Sequence, residues 1–210
     1  MTKQNYYELL NIRNEKIDDV ENWLWVKDDD GAWEGPRLEW PVFREMYIKY
    51  SKKFDLVVQA GGNLGMYPRL LSNIYKEVYT FEPDHLNFHC LVNNCQKDNI
   101  YKFNVALGDR HEMLQMKKNE IRNVGMHRML KKKGNMPTLM IDDFEFDNCD
   151  LIQLDIEDFE IFALKGAIKT IEKFKPLISV EKANDVIYSF LKNFGYKEID
   201  KFKSDTFFSC

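Results

Sequence analysis

The strongest constraint on this chain is the alternation that begins at Phe54. Short β-branched or aromatic runs take turns with helical patterns, which is how βαβ units stack into a parallel sheet. FDLVVQA (54–60) reads as a buried first strand. The turn AGGNLG follows it, and Tyr67-Pro68 then opens a helix with Leu70, Leu71, Ile74 and Tyr75 on one face. EVYTFEP (77–83) is the second strand, stopped by Pro83. Asp84 caps a helix in which Phe88, Leu91, Val92 and Cys95 recur at helical spacing. YKFNVALGD (101–109) reads as a third strand, DLIQLD (150–155) as a fourth and PLISVE (176–181) as a fifth. Between the last two, Ile161, Leu164, Ile168 and Ile171 predict one continuous helix. Val186 to Phe194 predicts another, ending at Gly195, and the tail YKEIDKFKSDTFFSC reads as a closing antiparallel hairpin around Lys203-Ser204-Asp205.

Residues 1–53 stand outside the alternation. Phe43, Met46, Tyr47 and Tyr50 mark an amphipathic helix, and NWLWVKDDDGAWEGP places three Trp around an acidic, Gly-containing turn. The division expected is therefore an N-terminal helical extension or lid (1–53) on one α/β domain (54–210). At 210 residues with 44% hydrophobic content, the chain can bury a core without disulfides or a metal. Its four cysteines have neither Cys-x-x-Cys spacing nor His partners, so reduced and mostly buried thiols are expected. A net charge of −4 does not mark a nucleic-acid binder. No run approaches the ~20 apolar residues of a membrane span and the start lacks a signal-peptide core, so no membrane insertion and a cytoplasmic location are expected.

The candidate site residues lie where such a sheet binds ligands, beyond the carboxyl ends of its strands. In Gly61-Gly62-Asn63-Leu64-Gly65, glycines permit a tight turn and close approach of a ligand to the backbone. Glu82, beside Pro83 at the end of the second strand, can accept both hydroxyl hydrogens of a ribose. This pair of features suits a nucleoside cofactor, but Asn63 occupies the second glycine position of G-x-G-x-x-G, which disfavours NAD and an oxidoreductase. Asp155 and Glu157 close the fourth strand as acceptor-site candidates, whereas Asp158 and Glu160 read as helix-start acids. Two carboxylates alone do not make a metal site, so none is expected. Glu181 with Lys182 reads equally as a surface ion pair or as an acceptor contact. Lys117, Lys118, Arg122, Arg128, Lys131, Lys132 and Lys133 face Glu120 alone, a local excess of six positive charges read as a connecting loop, 117–133, that can contact an anionic or glycan acceptor. His111 and His127 are the histidines near it that can act as a base.

The motifs VVQAGGNLG (57–65), VYTFEPD (78–84), NVALGD (104–109), TLMIDDF (138–144), LIQLDIEDFEIFALKGA (151–167) and KPLISVE (175–181), in this order, resemble the FkbM family of S-adenosylmethionine-dependent methyltransferases. The resemblance implies a Rossmann-like methyltransferase fold, a mostly parallel sheet with helices on both faces and a C-terminal antiparallel hairpin, with S-adenosyl-L-methionine as cofactor. It implies that Gly61, Asn63 and Gly65 line the methionine end, that Glu82 holds the ribose, and that Leu107, Gly108 and Asp109 lie near the adenine. Gln59 stands where the family usually carries an acid, Asp158 where it has Gly, and Gln153 where it has Lys. The expected reaction is O-methylation of a sugar, glycan or small metabolite, with Asp155, Glu157 or His127 near the acceptor. The runner-up is a non-turning-over module that binds cofactor, glycan or nucleic acid on the same fold. The short length and Trp-rich leader are similar to members from viral genomes, which would place the protein in a host cytoplasm.

Overall fold

The computed structural model describes residues 6–17, 21–118 and 123–210. The chain opens with β1 (Leu10–Arg13) and β2 (Trp23–Val26), an antiparallel ribbon that leads into α1 (Gly31–Tyr50). There follow β3 (Leu56–Ala60), α2 (Met66–Leu71), β4 (Glu77–Phe81), α3 (His85–Asn94) and β5 (Ile100–Phe103). β6 (Ala106–Leu107), β7 (Met113–Lys117), β8 (Arg128–Lys133) and β9 (Met136–Leu139) come next, then β10 (Leu151–Leu154), α4 (Glu160–Lys165) and α5 (Ile168–Phe174). The chain ends with β11 (Leu177–Glu181), α6 (Asp185–Lys192), β12 (Lys197–Phe202) and β13 (Asp205–Ser209). Among the described residues, seven strands form the main sheet in the order β12-β13-β11-β10-β3-β4-β5. The five from β11 to β5 run parallel, and β13 and β12 close one edge as the antiparallel hairpin.

Every residue of β3 and β10 is buried, because central parallel strands are covered on both faces. The Asp84 carboxylate caps α3, accepting from the amides of Leu86 (2.9 Å) and Asn87 (3.1 Å). Gly195 takes the left-handed conformation after α6, with φ +86°.

Four expectations need correction. The helix that carries Leu70 and Leu71 stops at Leu71, so Ile74 and Tyr75 follow it rather than share its face. The stretch 101–109 is not one strand: the Asn104 side chain turns back to donate to the carbonyls of Glu82 (2.8 Å) and Pro83 (3.1 Å), and β6 leaves the main sheet to pair with β9. The continuous helix over 161–171 is two helices. Gly166 lies where the backbone of Gly108 presses in, since a Cβ there would sit 2.0 Å from Gly108 O, and Asp142 then caps α5 by accepting from the amides of Lys169 and Thr170, both at 2.9 Å. The segment 117–133 is not only a loop: it runs from the end of β7 through β8, and these two strands pair as a hairpin that joins β9 and β6 in a second sheet of four strands. Glu120 and Arg122 of that segment lie outside the described residues.

α1 starts twelve residues before Phe43, earlier than the periodicity indicates, and contains Pro36 and Pro41. Trp23, Trp25 and Trp33 are fully buried, with Trp33 edge-on to the other two at ring separations of 6.1 and 4.9 Å. The Arg13 guanidinium lies over Trp25 and Trp33. Asn94 of α3 clasps the ribbon, exchanging hydrogen bonds with the Leu24 amide (2.7 Å) and carbonyl (2.9 Å). The segment before Phe54 therefore shares one apolar core with β3, α2 and α3. Cys90, Cys95 and Cys149 are buried free thiols, and Cys210 is exposed. Among the described residues, no helix is long and apolar enough to cross a membrane.

Candidate active site

A cleft opens at the carboxyl ends of β3, β4 and β10, roofed by the start of α1 (Gly31, Ala32, Pro36) and the turn before β8 (Asn123 to Gly125). Of the residues the sequence singles out, Gly61, Asn63, Glu82, Pro83, Leu107, His127, Asp155, Glu157 and Glu181 line it.

The turn after β3 needs its glycines. Gly61 has φ +87°, and a Cβ on it would lie 1.9 Å from the carbonyl oxygen of Asp155. Glu82 holds the turn from the next strand, its Oε2 accepting from Asn63 N (2.8 Å) and its Oε1 from Asp84 N (2.7 Å). Burial pushes the Glu82 carboxyl up to about 8 against the pull of those two amides.

Five other predicted cofactor residues do not line the cleft. Gln59 is fully buried; its Nε2 donates to Gly61 O (3.0 Å) and its Oε1 accepts from Thr80 Oγ1, so it braces the turn from beneath. A Cβ on Gly62 would meet Leu91 Cδ1 at 2.4 Å, and Gly65 starts α2 with φ +97°, so both serve packing. Gly108 N donates to Leu139 O (2.9 Å). Asp109 is tied to Arg110 (3.1 Å) and Lys131 (2.8 Å); partial burial opposes its charge, but those partners hold its carboxyl down at about 2. His111 is also away from the cleft, paired with Asp143 at 2.7 Å.

The far wall is acidic. Asp155 ends β10, and burial, followed by the neighbouring charge of Glu181, pushes its carboxyl well above the usual range. Lys182 bridges Glu157 and Glu181, at 3.1 Å from each. Burial likewise pushes Asp205, opposite Glu181 on β13, up to about 7. Half of the described basic residues of this segment are answered by local acids: Lys118 pairs with Asp84 (2.5 Å), Arg128 with Asp158 (3.3 Å) and Lys131 with both Asp109 and Glu112.

Sequence reasoning expected a lid from residues 1–53 but did not find the side chain that ties the roof together. Asp29, 1% exposed, accepts from the amides of Ala32 (3.1 Å) and Val124 (3.2 Å), and Asn87 donates to Val124 O (3.1 Å). The run Asp28-Asp29-Asp30 before Gly31 was the available signal, a helix-start acid within an acidic turn.

A seven-stranded sheet with a reversed C-terminal hairpin and a strand-end cleft of this kind defines a Rossmann-like methyltransferase. Residues 59–198 match the family described as the methyltransferase FkbM domain. The chain belongs to that family. Among solved structures, the FkbM methyltransferase from Methylobacillus flagellatus KT is 18% identical, with a TM-score of 0.53, covering 74% of this chain and 43% of that one. The Pyrococcus abyssi tRNA (uracil-54, C5)-methyltransferase, solved with S-adenosyl-L-homocysteine, is 13% identical with a TM-score of 0.51, covering 96% of this chain and 44% of that one. The ribosomal protein L11 methylase from Lactobacillus delbrueckii subsp. bulgaricus is 11% identical with a TM-score of 0.50, covering 83% and 79%. The likeness to these structures is one of fold, and this chain spans less than half the length of the first two. No curated protein matches the chain in sequence.

The cofactor that a methyltransferase domain implies is S-adenosylmethionine, and the cleft suits it. Besides Glu82, two buried amide oxygens on cleft residues, Asn63 Oδ1 and Asn87 Oδ1, have no donor among the described residues. Buried acceptors of this kind call for donors from a ligand, and ribose hydroxyls and an ammonium are such donors.

Proposed function

We propose that the chain is an S-adenosylmethionine-dependent O-methyltransferase acting on a hydroxyl of a sugar, glycan or small metabolite. The observation that carries this reading is the division of one cleft into two walls. Glu82, Asn63 and Asn87 supply acceptors for the cofactor on one side, and Asp155, Glu157 and Glu181 supply carboxylates on the other. Bound S-adenosylmethionine supplies an activated methyl group on a sulfonium. The protein's part is to hold a hydroxyl in line with that methyl, since positioning supplies much of the rate, and to take up the hydroxyl proton. Carboxylates also accept from the several hydroxyls of a polyol. Lys117, Lys132 and Lys133 are exposed on the β7–β8 hairpin, and an anionic portion of the acceptor outside the cleft would lie against them.

The test is calorimetric binding of S-adenosylmethionine compared with NAD, followed by transfer of a labelled methyl group to a panel of glycans and hydroxylated metabolites. Selective S-adenosylmethionine binding with label transfer supports the reading. Binding without transfer to any hydroxyl compound would favour a non-catalytic module, and no binding by folded protein would remove the cofactor assignment.

A further inference from the structure

Three carboxylates stand side by side where the sheet ends. Leu154 is in register with Val180, so the next positions, Asp155 and Glu181, are neighbours, and Glu181 is directly opposite Asp205. Asp155, Glu157 and Glu181 can each bring one carboxylate oxygen within 4.8 Å of the others. Their oxygens are unequally served. Glu181 Oε1 accepts from Ser204 Oγ (3.3 Å) and faces the Lys182 ammonium (3.1 Å), whereas Glu181 Oε2 is buried and receives no donor among the described residues. Lys182 gives its other contact to Glu157.

Asp155 and Glu181 follow paired positions of neighbouring strands and bring carboxylate oxygens within 4.8 Å of each other. Two facing carboxylates can bond only through a proton held between them, and they cannot both ionise cheaply when buried. The surroundings favour retention of that proton. Glu157 and Asp205 are further carboxyls beside the pair, with Glu39 of α1 acting on Asp205 and Glu160 of α4 near Glu181; Lys182 is the opposing cation. Tyr47 and Tyr67, packed beneath, are themselves raised by burial and stay neutral. His127 and Arg128 line the same cleft, each beside another acid, Asp84 at 3.7 Å and Asp158 at 3.3 Å.

We propose that Asp155 and Glu181 share one proton and that this singly protonated pair is the base for the acceptor hydroxyl, an assignment that rests on the methyltransferase reading above. The acceptor oxygen forms the new O–C bond to the methyl carbon, and the C–S bond breaks with its electron pair on sulfur, leaving a neutral thioether. The hydroxyl proton passes to the pair, which becomes fully protonated and later returns that proton to water. Glu181 thereby joins Asp155 as a catalytic residue.

The experiment follows the side-chain carboxyls by carbon-13 NMR across pH in the full chain, with Asp155→Asn to assign the resonance and Glu181→Gln to uncouple the pair. The Asp155 carboxyl should titrate above the usual carboxylate range and fall by at least about one pH unit in Glu181→Gln. An ordinary titration, or one unmoved by Glu181→Gln, overturns the shared proton. Proton release is then counted by calorimetry in buffers of different ionisation enthalpy, with S-adenosylmethionine and S-adenosylhomocysteine as probes. The cationic sulfonium beside the pair should expel more proton than the neutral thioether, and the difference should vanish in Glu181→Gln. Equal release in the parent protein overturns the placement of the pair at the methyl group. Folded protein that binds neither probe sinks the methyltransferase reading and the base with it, whereas binding of both with an ordinary Asp155 titration sinks the pair alone.

Discussion

Asp29 and Val124, ninety-five residues apart, are joined by a hydrogen bond of 3.2 Å from the Val124 amide to Asp29 Oδ2. The same carboxylate accepts from Ala32 N, so one buried side chain fixes both the start of α1 and the turn before β8, the two halves of the cleft roof. Asp29→Ala leaves two amides without this acceptor. The expected cost is about 1–3 kcal/mol, a fall in melting temperature of several degrees, together with faster dissociation of S-adenosylmethionine. Calorimetry and stopped-flow release check the two effects.

Glu82 holds the turn and also lines the cleft. Glu82→Gln keeps the side-chain length but offers one carbonyl oxygen where two carboxylate oxygens now accept from Asn63 N and Asp84 N. Losing one of the two acceptor oxygens and leaving a buried amide unpaired costs about 1–3 kcal/mol, or about five- to a hundredfold in S-adenosylmethionine affinity. Titration calorimetry should show that loss while the variant still melts cooperatively.

Gly61 tolerates no side chain. In Gly61→Ala the new methyl would overlap Asp155 O, 1.9 Å from an ideal Cβ, and the backbone would hold a non-glycine residue at φ +87°. Overpacking costs about 1–3 kcal/mol and the strained backbone about 1–3 more. The expected outcome is poor folding or loss of cofactor binding, read by circular dichroism and binding on the same sample.

The buried strands and the glycine turn were legible because their signals are local: an apolar run broken by a single Gln in each of β3 and β10, glycines after one strand and an acid at the end of the next. The hairpin β7–β8 was not. Its strands bury one residue each, Leu114 and Met129, so the lysines around them read as a solvated loop. The break at Gly166 was hidden for a different reason: Ile161 to Ile171 keeps helical spacing, and the intruding backbone of Gly108 comes from fifty-eight residues earlier. The pairing of Asp155 with Glu181 depends on strand register, which single strands do not reveal.

Gln59 separates position in a motif from contact with a ligand. It lies in register with Thr80 on one side and Gln153 on the other, and its Nε2 faces the carbonyl of Gly61. Gln59→Glu would set a carboxylate against that carbonyl in a fully buried site, while the isosteric Gln59→Met would lose the brace without adding charge. Glu should be the more destabilising of the two by at least about 1 kcal/mol, increasingly so as pH rises and the acid ionises. Chemical denaturation of the two variants at acidic and alkaline pH would show this, and equal stability at alkaline pH would contradict it.

The acidic wall sets a pH dependence for the whole fold. Burial raises the carboxyls of Glu82 to about 8 and of Glu160 and Asp205 to about 7, and lifts Asp155 well above its ordinary value. In the unfolded chain these groups titrate near 4. Between those limits the native state binds more protons than the unfolded state, so stability falls with rising pH. The sign is the reverse of that expected for carboxylates held by ion pairs, such as Asp109. Thermal melts without cofactor should therefore show a melting temperature that declines from about pH 5 to about pH 8. Asp205→Asn, which cannot ionise, should flatten the part of that decline near pH 7, and an unchanged slope in this variant would count against the raised carboxyl of Asp205.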